Sequence, residues 1–156
     1  MNDETFDPSI YLDATTTEAA TRRPPLPAGS DFVGLITDVT VRKWHSNKPD
    51  AKRTDGIAYD FKIEVNLAAY PDIAIGVDKV TLTYGVMPDT KEDGKTLDWS
   101  PGRNGALRRV REALGMNNPG EVFSIRQMVG RQIRVKIKHR PYQGEVYDEV
   151  DSVAKA

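Results

Sequence analysis

Cysteine is absent from these 156 residues, which excludes disulfide bonds, thiolate zinc sites and cysteine nucleophiles together. Histidine occurs only twice, at His45 and His139, and neither has neighbours at zinc-ligand spacing. No apolar run approaches the roughly 18 residues of a membrane-spanning helix. The acidic, Thr-rich start lacks the basic and apolar regions of a signal peptide, so the expected location is the cytoplasm. Gly94-Lys95-Thr96 ends like a phosphate-binding loop, but Asp89 stands where the motif needs its first glycine. Asp89, Asp93 and Gly94 echo a calcium loop, but Lys91 and Ser100 occupy ligand positions. No serine is marked as a nucleophile by a base and an orienting group. Catalytic residues, metals and cofactors are therefore not expected, and the protein is not expected to be an enzyme.

Charge is present in quantity but unevenly spread. The formal net charge is −1, yet residues 1–30 carry five carboxylates against two arginines, which leaves +2 on the remainder. The most concentrated stretch is Arg131-Gln-Ile-Arg-Val-Lys-Ile-Lys-His-Arg140, with no carboxylate in ten residues. Ile133, Val135 and Ile137 alternate there with Arg134, Lys136 and Lys138, so one strand would turn apolar residues inward and cations outward. Such a face needs open solvent or a polyanion; as a solvated edge it would simply deter aggregation.

Residues 1–30 read as an extended or disordered arm, small and polar over Thr15–Thr21 and stiffened by Pro24-Pro25-Leu26-Pro27. Its sticky residues are Phe6, Ile10, Tyr11 and Leu12, the candidate contacts for a partner, another copy, or the rest of the chain. From residue 31 the pattern changes to strands: Phe32–Val41 with Val33, Leu35, Val39 and Val41 on one parity, then alternating Ala58–Leu67 and Lys79–Val86. Leu107, Val110 and Leu114 then mark one helical face, with Ser100-Pro101 or Asn104 as the start and Gly115 as terminator. Ser124-Ile-Arg-Gln127 has capping-box spacing. The basic strand, a Pro141–Gly144 turn and a strand near Glu145–Val153 complete the chain. Five strands with one helix between the third and fourth is the order of a mainly β, OB-type Greek-key barrel over residues 31–156. The same order also fits another small α+β sandwich.

OB-fold ligands lie across strands 2 and 3 and between the 1–2 and 4–5 loops. Here the 1–2 loop reads Arg42 to Arg53 and offers Arg42, Lys43, Trp44, Lys48, Lys52 and Arg53, and the 4–5 loop follows Arg134, Lys136, Lys138 and Arg140 with Tyr142. Cations track phosphates and flat rings stack on unpaired bases for about 1–3 kcal/mol each, which suits single-stranded nucleic acid. Trp44 could instead close the barrel end, and Tyr142 could be a turn residue. Arg103, Arg108, Arg109 and Arg111 read as a solvated helix face or an extension of the binding path. Glu145, Asp148, Glu149 and Asp151 crowd the last strand and offer ion-pair partners that would neutralise part of the surface.

Phe6-Asp7-Pro8, Ala14-Thr15-Thr16-Thr17-Glu18, Leu26-Pro27-Ala28-Gly29, Leu107–Gly115, Met128-Val129-Gly130-Arg131 and Val153-Ala154-Lys155-Ala156 together resemble a family of small bacteriophage proteins. That resemblance runs over nearly the whole chain. It implies an OB-fold protein of a phage replication or recombination module that binds single-stranded DNA in the host cytoplasm. The family resemblance departs from bacterial single-stranded-DNA-binding proteins at the end: those close on an acidic tail, whereas this chain ends Asp-Ser-Val-Ala-Lys-Ala. The acidic, partly apolar segment here is Asn2 to Glu18, which points to the arm for self-association or for replication and recombination partners. The expected function is non-catalytic, weakly sequence-selective binding of single-stranded DNA. The rival expectation is a protein-interaction module, either a virion component or an inhibitor of a host factor.

Overall fold

The structure, a computed structural model, describes residues 5–156; Met1–Glu4, the first part of the expected arm, lie outside the described residues. Five strands, β1 (Asp31–His45), β2 (Asp55–Asn66), β3 (Lys79–Val86), β4 (Gln132–Tyr142) and β5 (Glu145–Ala154), form one antiparallel sheet ordered β3-β2-β1-β4-β5. The only helices are α1 (Pro8–Leu12), α2 (Gly105–Ala113) and two short 3-10 turns, Leu67–Ala69 and Ile125–Met128, among the described residues. None is long and apolar enough to cross a membrane.

The central strand explains how the sheet bends. Its first part, Asp31–Leu35, pairs with Lys136–Gln132 of β4, while Leu35–His45 pairs with β2. One strand thus serves two neighbours, and the free edges β3 and β5 curl towards each other to within 8 Å between Cα atoms, without a hydrogen-bonded ladder. Gly34 sits at the crossing. A Cβ there would stand 2.5 Å from Ile63 Cγ2 and 3.2 Å from the Glu64 carbonyl, so only glycine lets the strands approach.

Phe32, Ile36, Phe61, Ile63, Val65, Leu82, Ile133, Val135 and Ile137 fill the concave side, joined by Leu107 and Val110 of α2 and by Met128. The alternation expected in β2, β3 and β4 is present. The parity expected for β1 is not: Phe32, Gly34 and Ile36 face inward, whereas Leu35 is exposed. A bulge between Ile36 and Asp38 then reverses the alternation, so Val39 is half-buried and Val41 is exposed.

Two other expectations change. The helix begins at Gly105 with Asn104 in the N-cap position, but Asn104 is left-handed (φ 53°) and makes no cap hydrogen bond. Its buried side chain instead donates to the Asp89 and Asp98 carbonyls at 2.9 and 2.7 Å and accepts from the Asp89 amide at 2.7 Å. The arm, meanwhile, divides. Residues 5–21 are exposed, with α1 capped by Asp7. Residues 22–30 form a strap across β4 and β5. Leu26 is wholly buried in the core, its amide donates to Asp148 at 2.8 Å, and its carbonyl meets His139 Nε2 at 2.7 Å. Proline-rich chain has few amides to satisfy, so it can lie against a sheet with only such spot contacts.

Candidate nucleic-acid interface

The segment Arg42–Arg53 is not one loop. Arg42 to His45 continue β1 and pair with Ala58 to Asp55, because Val41 and Trp44 find partners across the ladder. Only Ser46–Thr54 turns, closed by Ser46 N–H donating to Thr54 O at 2.7 Å. Trp44 stands opposite Gly56, and an added Cβ at Gly56 would meet its ring at 3.0–3.1 Å. The indole therefore lies over the glycine, an arrangement that shields an otherwise bare strand position. Its Nε1 donates to the Ile57 carbonyl at 3.1 Å, and the ring is half-buried, with part of its surface open to solvent.

The second expected loop is tighter still. β4 runs to Tyr142 and turns through Gln143 (φ 49°) and Gly144 (φ 78°) into β5. Two successive positive φ values make the two-residue hairpin turn that matches strand twist. Tyr142 is thus a strand residue, paired with Glu145 and exposed, with its ring edge-on to Tyr147 at 6.3 Å. Arg140 lies 5.7 Å from the Tyr142 ring centroid.

The cations fall into two groups. Arg42 bonds Asp60 at 3.0 and 3.3 Å, which raises the pKa of its guanidinium. Lys138 lies between Glu149 and Asp151 at 3.5 and 3.8 Å, Arg140 bonds Glu149 at 2.8 Å, and Arg53 reaches Asp89 at 3.6 Å. Arg42, Lys138 and Arg140 line a cavity of about 680 Å³ in the open seam between β3 and β5. Four cations there (Arg23, Arg42, Lys138, Arg140) face four carboxylates (Asp60, Asp148, Glu149, Asp151), so the groove is balanced in charge.

Lys43, Lys48, Lys52, Arg134 and Lys136 form the other group, with no ion pair within 4 Å among the described residues. The first three lie on the β1–β2 hairpin with Trp44; the last two stand on β4 opposite Ser152 and Ala154 of β5. The outer face across β2 and β3 offers less: Lys62 bonds Thr83 Oγ1 at 2.9 Å and Lys79 reaches Glu64 at 3.6 Å. In the arm, Phe6, Ile10, Tyr11 and Leu12 are exposed, with the Phe6 and Tyr11 rings stacked 5.8 Å apart.

Other polar groups are structural. Asp148 binds Arg23 through both oxygens, at 2.6 and 2.9 Å. Burial opposes its charge, but the Arg23 and Leu26 hydrogen bonds prevail and hold its pKa below the usual value. Asp93 accepts from the Thr96 hydroxyl and from the amides of Thr96 and Lys95, which lowers its pKa to about 2. Its carboxylate organises the turn that resembles a calcium loop. No group of three potential metal ligands forms among the described residues.

A further cluster escaped the sequence reading. Arg111, expected on a solvated helix face or an extension of the binding path, has its guanidinium 4.6 Å from the centroid of Trp99 and 4.0 Å from that of Phe123. The one sequence signal was a tryptophan closing a polar loop just ahead of an arginine-rich helix. No family model matches this chain, and no curated protein matches it either.

Proposed function

We propose that this chain is a non-catalytic single-stranded-DNA-binding protein, an OB-type Greek-key barrel acting in phage replication or recombination in the host cytoplasm. The observation that carries this reading is the β1–β2 hairpin, where Lys43, Lys48 and Lys52 have no ion pair within 4 Å among the described residues and the same hairpin holds the half-exposed Trp44 in place through its Nε1 bond to Ile57. Unpaired cations have no internal bond to surrender on meeting a phosphate, and a ring fixed beforehand loses little entropy on stacking. Arg134 and Lys136 add two more cations on β4. The strand order, with α2 between β3 and β4, supports the barrel assignment.

The test is titration of a labelled thymidine oligomer, followed by anisotropy and tryptophan quenching at several salt concentrations beside a duplex control. The expected result is preference for the single strand, with a log–log salt slope of about −3, as four or five neutralised phosphates require. Trp44→Ala should weaken binding with little change of slope. Absence of binding at low salt would overturn the reading.

A second reading has its own support. Residues 5–21 expose four large apolar side chains, Ile10, Tyr11 and Leu12 on a short capped helix and Phe6 just ahead of it. We infer a protein-binding arm that takes a second copy or a replication or recombination protein; on a barrel without DNA affinity, it would make the chain an interaction module, either a virion component or an inhibitor of a host factor. An arm deletion that changes neither partner binding nor DNA affinity would overturn it.

A further inference from the structure

A cleft of about 510 Å³ lies between the Trp99–Arg103 loop and α2 and shares no lining residue with the seam. Trp99, Pro101, Gly102, Arg103, Arg108 and Arg111 are among its walls, and no carboxylate lines it. It differs in that respect from the seam, where every cation faces an acid.

Arg111 is the best-prepared group in it. The guanidinium is held by two aromatic rings, and Nε donates to the Met116 carbonyl at 3.1 Å. Its two terminal nitrogens have no hydrogen-bond partner among the described residues, and neither is fully enclosed. Partial burial lowers the Arg111 pKa because it disfavours the charged form. Arg103 and Arg108 bring exposed charges to the same cleft. Arg103 reaches Asp98 only at 3.9 Å, and Arg108 reaches Glu112 at 3.3 Å. The Asp98 carboxylate is itself engaged by Ser100, whose amide and hydroxyl donate at 3.0 and 2.6 Å.

Trp99 supplies a different chemistry. It is 40% exposed although Arg111 and Phe123 lie against it, so a large apolar ring remains open to solvent beside three cations. The loop that carries it is fixed: buried Asn104 ties the Asp98 carbonyl to Asp89. An open ring on a fixed loop, with three guanidinium groups lining the same cleft, matches a planar base attached to a phosphate.

We propose that this cleft binds a nucleotide, its base against Trp99 and its phosphate between Arg103, Arg108 and Arg111. The phosphate could belong to a free mononucleotide or to the end of a strand. None of the residues that line the cleft belongs to the β1–β2 hairpin.

Tryptophan occurs only at positions 44 and 99, so Trp44→Phe leaves Trp99 as the sole reporter. This full-length variant is titrated with thymidine 5′-monophosphate, thymidine, inorganic phosphate, and thymidine oligomers with or without a 5′-phosphate. The expected result is saturable quenching of Trp99 by the monophosphate, with thymidine and inorganic phosphate each binding at least about tenfold more weakly. Arg103→Ala with Arg108→Ala should weaken the monophosphate by about tenfold or more, because each removes a charge-assisted hydrogen bond to the phosphate. Quenching by the phosphorylated oligomer but not the mononucleotide would identify a strand end as the source; quenching by both would admit free nucleotides. No quenching by either, or equal response to inorganic phosphate, would overturn the proposal. Anisotropy of the labelled oligomer with Trp44 intact reads the hairpin interface separately, so failure of one site is distinguishable from failure of the other.

Discussion

The two halves of β4 carry the same alternation and meet different fates. Arg134 and Lys136 face Ala154 and Ser152 on β5 and Val33 and Asp31 on β1, with no ion pair within 4 Å among the described residues, whereas Lys138 and Arg140 face Glu149 and Tyr147 on β5 and are drawn into ion pairs. A strand that reads as one basic stripe is thus a stripe only for half its length. Cross-strand partners, which no run of ten residues reveals, decide which cations are available to a polyanion. The β1–β2 hairpin follows the same rule: Arg42 is spent on Asp60, while Lys43 on the opposite side of the strand is not.

The comparison can be broken most strongly at Asp148, the one β5 carboxylate that is well shielded. Asp148→Ala removes both Arg23 bonds and the Leu26 amide bond, and should cost about 2–3 kcal/mol in urea unfolding. Glu149→Ala, which loses only exposed pairs, should stay within about 0.5 kcal/mol. Equal costs would mean that the strap contributes nothing.

Acid should reproduce the first effect. The folded pKa of Asp148 is depressed, so its contribution is present above the unfolded value, near 3.8, and is lost as pH falls through the lower folded value. Amide exchange at Leu26 should accelerate relative to the core strands over that range, and Asp148→Asn should remove this pH dependence.

Freeing the paired half of β4 gives the next largest change. Glu149→Ala with Asp151→Ala should strengthen single-strand binding and steepen the log–log salt slope by about 1.4 if Lys138 and Arg140 then reach phosphate, at roughly 0.7 per contact. In the wild type, Lys136→Ala should flatten the slope by about 0.7, and Lys138→Ala should leave it unchanged. Identical slopes for those two variants would erase the distinction between the halves.

The smallest effect on stability should come from the arm. Residues 5–21 bury nothing, so deleting residues 1–21 should leave the urea midpoint unchanged within error. A cut that also removes Leu26 should unfold the protein readily, because that side chain is wholly enclosed. A deletion series read by urea midpoint locates the boundary.

Legibility followed the range of the interactions concerned. The alternation of β2, β3 and β4 and the face of α2 could be read because period two and period 3.6 are local consequences of backbone geometry. The β1 parity was misread because the bulge at Ile36/Asp38 responds to a partner strand, not to β1 itself. Leu26 looked like part of a proline-stiffened arm; its burial depends on His139, Ile137 and Asp148, more than 100 residues away. The Trp99–Arg111–Phe123 cluster was illegible for a similar reason, since three elements had to fold before the rings could meet the guanidinium.

By itself the sequence determined the five strands, the single substantial helix and the excess of cations around residues 42–53 and 131–140, because each is written in neighbouring residues. Tertiary structure alone decided which cations stay free, where the arm ends and the strap begins, and that Trp99 opens beside three arginines. Those outcomes depend on pairing across the sheet and on long-range packing, and charge is neutralised or exposed only once distant segments are brought within a few ångströms of each other.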